Sequence, residues 1–233
     1  YKVHNELNNF NKAEPIEIVP LMCSIQDSKY INSIFKTWLP NTVYHAAAYK
    51  HVPIVEHNLA EGLKNNVYGT LTIAKASLET EVENFVFIST DKAVNPSNIM
   101  GATKRLCEKY LQKISINSKT KFLIVRFGNV LGSTGSVVPL FEKQISKGGP
   151  VTITHPDVQR YFMTIREAVE LVIIASIDSS KGRSGEIHIL EMGEPVKIKD
   201  LAKKMIQLSG QKKEIPIIYT KLRKAEKIDE ELF

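Results

Sequence analysis

Short apolar runs rich in β-branched residues alternate along this chain with longer segments of helical period, and that alternation limits the fold more than any other feature. Residues 16–20, 42–45, 84–88 and 121–127 hold their apolar side chains together instead of spacing them at every second position. Strands of that kind are covered on both faces. Between them, residues 28–38, 66–78 and 100–114 carry apolar side chains at three- and four-residue spacing, and Pro53 and Pro96 mark loops just ahead of helical segments. The pattern predicts parallel strands joined by crossover helices, the α/β class.

The texture changes after Phe127. Gly128, Gly132, Gly135, Gly148, Gly149 and Pro150 break the chain into shorter elements, followed by predicted helices over 165–177 and 198–208. A second, smaller, substrate-facing region is expected there. The polar start through Lys12 reads as the remnant of a helix, so the chain is expected to begin in mid-element.

Composition narrows the function classes. With 233 residues, 43% hydrophobic and 24% charged, the chain has the make-up of a soluble globular protein. Its longest apolar stretch, residues 171–175, falls far short of the roughly 20 needed to cross a bilayer, and no charged-then-apolar leader opens it. Cys23 and Cys107 are too few and too far apart for a disulfide framework or a zinc site. Each reads as a small buried apolar residue in a reducing interior. The net charge of +6 is scattered, and the densest basic run, residues 221–227, has no interleaved aromatic residues for base stacking. A solvated surface is expected in place of a nucleic-acid face. His51 and His57 lack metal-ligand spacing and have no third ligand nearby, so no metal is expected.

The chemistry gathers at the end of one predicted strand. Ser89, Thr90, Asp91 and Lys92 directly follow the run 84–88, at the sheet edge where open α/β folds bind their ligands. Beyond the loop at Asn95 and Pro96, Met100 and Lys104 stand four residues apart, on one face of the next helix. Taken alone, the Ser-Thr-Asp-Lys string fits better a helix cap at Asp91 with Lys104 on a solvated surface.

The wider pattern carries a resemblance. Ser89-Thr90-Asp91-Lys92-Ala93-Val94-Asn95-Pro96 followed by Met100-Gly101-Ala102-Thr103-Lys104 resembles the bacterial polysaccharide-biosynthesis UDP-N-acetylglucosamine 4,6-dehydratases, within the extended short-chain dehydrogenase superfamily. His45-Ala46-Ala47-Ala48-Tyr49-Lys50-His51-Val52-Pro53, Arg126-Phe127-Gly128-Asn129-Val130-Leu131-Gly132-Ser133 and Arg160-Tyr161-Phe162-Met163-Thr164 resemble further motifs of that family, in the same order. The resemblance implies a doubly wound, Rossmann-like parallel sheet lacking its first βαβ elements. Residues 1–128 would form a partial dinucleotide-binding domain and residues 129–233 a partly interleaved substrate-binding region. It implies NAD as cofactor, a UDP-sugar as partner and a role in polysaccharide or capsule synthesis. It also implies a cytoplasmic segment without membrane contact, whose parent polypeptide is anchored to the inner membrane face. Homo-oligomerisation stays open.

In such an enzyme NAD takes hydride from sugar C4, water leaves across C5 and C6, and the hydride returns to C6. A C4 ketone acidifies the C5 proton, so a side-chain base can remove it while an acid protonates the departing C6 hydroxyl. The resemblance assigns Asp91 as that acid, Lys92 as the base and Thr90 as a hydrogen-bond partner of the C4 oxygen. Lysine must be neutral and aspartate protonated for those roles, and an Asp91–Lys92 ion pair opposes both. Most relatives of the fold carry tyrosine four residues before the active-site lysine, where this chain has Met100. Methionine cannot carry the C4 hydroxyl proton, which leaves a water, Lys104 or Asp91 to do so; Met100 as plain helix packing is the other reading. Methionine-type members of the family retain configuration at C5, which is the expectation here.

For the cofactor, the resemblance points to Ala46, Ala47 and Ala48, small enough for close backbone approach, to Lys104 at the nicotinamide ribose, and to Ser24 and Ile25 on the adenine side. Ile25 fits the core equally well. Lys50, His51, Asn129 and Arg160 are the candidates for the sugar and its diphosphate, Arg160 because guanidinium binds phosphate in bidentate fashion. Arg160 as a surface cation is the alternative. No G-x-G-x-x-G follows a strand, since Gly128, Gly132 and Gly135 have the wrong spacing. The fingerprint is therefore expected upstream of Tyr1, and the isolated chain is expected to bind NAD weakly. Lys221, Lys224 and Ala225 also depart from the Gly- and Pro-containing stretch usual near the family's end. An epimerase or reductase of the same fold, and a catalytically silent binding fragment, are the competing readings.

Overall fold

Successive residues of a strand face opposite ways, so one buried strand serves two cores at once. In the computed structural model, which describes residues 2–10, 16–178, 183–211 and 214–233, the chain starts with helices α1 (Lys2–Phe10) and α2 (Ser28–Trp38) and strand β1 (Thr42–His45). Helices α3 (Val52–His57) and α4 (Leu59–Gly62) follow, then a π-helical turn, Leu63–Tyr68, that runs into α5 (Gly69–Glu79). Next come β2 (Asn84–Ile88), a 3-10 turn at Asp91–Ala93, α6 (Ile99–Ser115) and β3 (Lys121–Arg126). The remaining elements are β4 (Asn129–Val130), α7 (Val137–Ser146), β5 (Val151–Ile153), β6 (Gln159–Arg160), β7 (Phe162–Met163), α8 (Ile165–Asp178), β8 (Glu186–Ile189), β9 (Val196–Lys197), α9 (Ile198–Leu208) and β10 (Ile217–Tyr219).

Strands β1, β2, β3 and β8 form one parallel sheet in that order, with Val43, Phe85 and Phe122 in one row and His45, Phe87 and Ile124 in another. On one face Phe85, Phe87, Phe122 and Ile124 pack with Ile31 and Phe35 of α2, Ile73 of α5, and Cys107 and Leu111 of α6. On the other, Val86, Leu123 and Val125 pack with Ala168, Val172 and Ala175 of α8 and with Leu232. Helices thus cover both faces, as the α/β reading requires. Strand β8 comes from beyond Gly128 and returns to this sheet. A third apolar cluster joins Phe141 and Ile145 of α7, Val151 and Ile153 of β5, and Ile198 and Ala202 of α9, beside the parallel β5–β10 pair.

Several boundaries differ from the sequence reading. Residues 16–20 form no strand. Ile16 and Val19 are 68% and 38% exposed, and β1, at the sheet edge, pairs only with β2 among the described residues. Cys23 is exposed, not buried, whereas Cys107 is buried as expected. The third strand ends at Arg126, and the Phe127 carbonyl just beyond it accepts from the Asp91 amide at 3.1 Å. The helix expected from residue 66 starts earlier, through the π-helical turn, where buried Asn66 holds both the amide and the carbonyl of Tyr49. Such widened turns recur at functional sites. Of the polar start, Lys2–Phe10 is helical, while Tyr1, Asn11 and Lys12 lie outside the described residues.

Candidate active site

The carboxyl end of β2 builds the site. The Ser89 amide donates to the Val125 carbonyl at 2.8 Å, so the chain beyond the strand stays tied to β3 before it turns. Thr90 caps the 3-10 turn, and its hydroxyl donates to Asp91 Oδ1 at 2.8 Å. That same oxygen accepts from the Lys92 amide at 2.8 Å and from Lys92 Nζ at 2.9 Å. Asp91 is fully buried, and its other oxygen, Oδ2, has no hydrogen-bond partner. A buried carboxylate oxygen left unpaired is costly in a folded protein and calls for an explanation. Gly128 makes room for it, because a Cβ there would lie 3.2 Å from Oδ2 and 3.0 Å from the Tyr161 Cβ.

Helix α6 packs behind this turn. Asn98 caps it by accepting from the Gly101 amide at 2.7 Å. Met100 is buried, and Lys104, one turn on, donates from Nζ to the Ile88 carbonyl at 2.7 Å, with its ammonium 4.4 Å from the Phe87 ring centroid. Burial pulls the Lys104 ammonium down to about 8, with Cys107 and Glu108 opposing. The cation–π contact and the carbonyl partly compensate the lost hydration. His45, at the end of β1, is held neutral, its pKa lowered to about 3 by burial and secondarily by Lys104. Its Nε2 meets the Thr70 hydroxyl at 2.9 Å.

The other sequence candidates fall into distinct places. Asn129 joins the pair directly, accepting from Lys92 Nζ at 3.4 Å. It also lines a cleft of about 290 Å3 with Ser136, Thr152, Arg160 and Arg223. Arg160 is buried, so it is no surface cation. Its guanidinium donates to the carbonyls of Gln159, Ile228 and Lys227 at 2.7, 2.7 and 2.8 Å. Ala48, Lys50 and His51 line a second cleft of about 340 Å3. His51 abuts Gly135 of the first cleft, where any side chain would strike the imidazole. Ala46 and Ala47 are exposed beyond β1. Ser24 is exposed, and Ile25 packs on Gly69 at the margin of the first core, away from the Asp91–Lys92 pair. Among the described residues no three His, Cys, Asp or Glu side chains converge as a metal site would require.

Two groups at the site escaped the sequence reading. Glu230 brings a second carboxylate to within 3.7 Å of Lys92 Nζ. Behind Ser89, buried Glu108 accepts from Ser89, Arg126 and Arg105. Glu108 sits on a helix with four other charged residues, so the sequence carries no signal that it is buried.

The whole chain, residues 1–233, matches the family described as Polysaccharide biosynthesis protein. The chain belongs to this family. It is 52% identical over 234 aligned residues to the Capsular polysaccharide biosynthesis protein CapD of Staphylococcus aureus, covering 100% of this chain and 38% of that protein. It therefore spans well under half the length of that relative. The UDP-N-acetylglucosamine 4,6-dehydratase (inverting) of Campylobacter jejuni is 41% identical over 164 residues, 69% of this chain and 48% of its own. The crystal structure of Pen from Bacillus thuringiensis superposes with a TM-score of 0.84 at 33% identity, over 98% of this chain and 69% of that one. Sugar-nucleotide epimerases and a dehydratase solved with NAD superpose with TM-scores of 0.77–0.82 at 17–21% identity, which shows the shared Rossmann-like, extended short-chain dehydrogenase fold. Among the described residues, no helix of this family member is long and apolar enough to cross a membrane.

Proposed function

We propose that this chain is the catalytic part of a UDP-N-acetylglucosamine 4,6-dehydratase that works through transient oxidation at sugar C4 with NAD. One observation carries the reading: a fully buried aspartate with an unpartnered oxygen, in contact with a lysine at the ligand-binding edge of a parallel sheet. The identity to a named dehydratase supports the same elimination, while the stereochemical course proposed below differs from the inverting one in that relative's name.

The residues present fit the nicotinamide half of NAD. Exposed Ala46 and Ala47 leave the backbone beyond β1 open to a flat ligand, and the Lys104 ammonium lies under the neighbouring strand end. When bound, NAD supplies the hydride acceptor and donor. The chain's own task is proton transfer. One proton moving along the 2.9 Å contact from Lys92 Nζ to Asp91 turns the ion pair into a neutral amine and a carboxylic acid, the forms that elimination needs. The amine then takes the C5 proton while the acid gives its proton to the leaving C6 hydroxyl, which restores the ion pair; the ammonium, after exchange with solvent, later returns a proton to C5, and the proton released by the C4 hydroxyl on oxidation replaces it. Because Lys92 takes the C5 proton and gives it back from one side, configuration at C5 is retained. Asn129 steadies the ammonium, and Thr90 can turn its hydroxyl from Asp91 to the C4 oxygen. Lys50, His51, Asn129 and Arg160 face the two clefts open to sugar and diphosphate. The same reading divides the chain into a partial dinucleotide-binding part, residues 1–128, and a substrate-binding part, residues 129–233, with β8 crossing back.

The test is turnover of UDP-N-acetylglucosamine in deuterated water by the natural full-length polypeptide, followed by mass spectrometry and NMR. Loss of one water with one deuterium gained at C5 is expected, and Asp91→Asn and Lys92→Ala abolish it. An unchanged mass with inverted C4 overturns the proposal in favour of an epimerase.

A further inference from the structure

The carboxyl-terminal strap, residues 223–233, is fastened on both sides of Glu230. Arg160 holds the carbonyls of Lys227 and Ile228, Lys227 Nζ reaches the Val94 carbonyl at 3.2 Å, and Asn95 donates to Glu231 at 2.8 Å. Leu232, two residues on, is buried against the sheet. The strap therefore fixes where the Glu230 carboxyl sits. That carboxyl is 8% exposed and lies 3.7 Å from Lys92 Nζ, which is also 2.9 Å from Asp91. Four charged groups face it: Lys92, Asp91, Arg160 and Lys227.

We propose that Glu230 is a positioning residue for Lys92, sharing the ammonium with Asp91 and governing how readily that nitrogen releases its proton. The proposal rests on the dehydratase reading, but the pairing itself can be read without turnover. With Glu230 neutral, Lys92 faces one carboxylate; with Glu230 ionised it faces two, and a second negative charge holds the ammonium more firmly. Burial lifts the Glu230 carboxyl above the ordinary glutamate range, with Lys92 opposing, Asp91 adding to the lift, and Arg160 and Lys227 opposing. The site therefore stores a carboxyl group that accepts a proton more easily than a surface glutamate does, at one contact from the base.

The experiment compares the natural full-length polypeptide with its Glu230→Gln and Glu230→Asp variants. In the unliganded protein, the Lys92 side-chain carbon signal, located by Lys92→Arg, is expected to move in Glu230→Gln. The Glu230 carboxyl carbon is expected to titrate above the usual glutamate range. In turnover, the rising limb of the pH–rate profile is expected to move to lower pH by about one unit in Glu230→Gln, with KM unchanged, and to return toward the native position in Glu230→Asp. A Lys92 signal that does not respond to Glu230→Gln overturns the proposal. So does a lowered rate that tracks lost thermal stability with no shift in the profile. If Glu230→Gln does not fold, the position of the Glu230→Asp profile decides. A responding Lys92 signal in a protein that never dehydrates the sugar upholds the pairing and sinks the dehydratase reading alone.

Discussion

Arg126 grips Glu108 through two hydrogen bonds, Nε to one carboxylate oxygen at 2.7 Å and Nη2 to the other at 2.6 Å, with both side chains out of solvent. The fork also takes in Ser89 at 2.7 Å and Arg105 at 2.9 Å. It therefore ties the end of β2, the residue before Thr90, to α6 and β3. Removing one partner leaves the other buried without compensation, whereas replacing both with apolar side chains removes the problem. Glu108→Ala is expected to cost about 3–5 kcal/mol in urea denaturation, and Glu108→Leu with Arg126→Met distinctly less. Equal losses for the single and double variants would contradict a coupled buried pair.

Gly101 is the second point where local chemistry serves the site. A helical glycine replaced by alanine usually gains up to about 1 kcal/mol. At this position the added Cβ would overlap the Lys92 carbonyl oxygen, a backbone atom with nowhere to go. Gly101→Ala is therefore expected to destabilise by about 1–3 kcal/mol, the cost of overpacking. Gly69→Ala meets only the Ile25 side chain, which can rotate, and is expected to lose less. Thermal melts of the two variants side by side check the ranking.

These two sites show what was legible in the sequence and what was not. Strands β1 and β2 stood out as contiguous apolar runs and helices α2 and α9 by their three- and four-residue spacing, both of them local signals. Residues 16–20 carry the same local signal but form no strand, although the outer edge of β1 pairs with no other strand among the described residues. Thr90, Asp91 and Lys92 were legible as a candidate site because they are contiguous at the end of a predicted strand. Glu230 and Glu108 were not, because only the crossing of the strap and the packing of α6 bring them there. Arg160, read as a phosphate ligand or a surface cation, is buried, and its guanidinium donates to carbonyls of the strap, contacts that no spacing rule signals.

His45 gives the acid limb of stability a specific owner. Its folded pKa is about 3 against an ordinary value of 6.5, so below pH 6.5 the unfolded chain binds a proton that the folded protein refuses. Stability then falls as pH drops, by about 2 kcal/mol between pH 6.5 and 5 from this residue. His45→Gln is expected to flatten the stability–pH curve by that amount over the same interval, read from urea midpoints. Parallel curves for the two proteins would show that His45 does not titrate as burial dictates.

Lys104 acts in the same direction along the pH axis, in a more alkaline window. Its ammonium is pulled from 10.5 to about 8 by burial, so between those values the unfolded chain holds a proton that the folded chain has released. Stability from this residue therefore rises as pH rises through that window, by about 3 kcal/mol in full, and the penalty is complete below pH 8. Carbon-13 NMR of the lysine side chains is expected to show one resonance with a midpoint near 8, absent in Lys104→Met. At pH 7.5 roughly a quarter of the molecules would carry the neutral amine. A lysine of that kind exchanges its proton in the neutral range, which Met100, one turn earlier on the same helix face, cannot do. If the titration midpoint lies instead with the surface lysines, above pH 10, the Ile88 carbonyl and the Phe87 ring stabilise the ammonium more than burial penalises it, and Lys104 stays a fixed cation throughout.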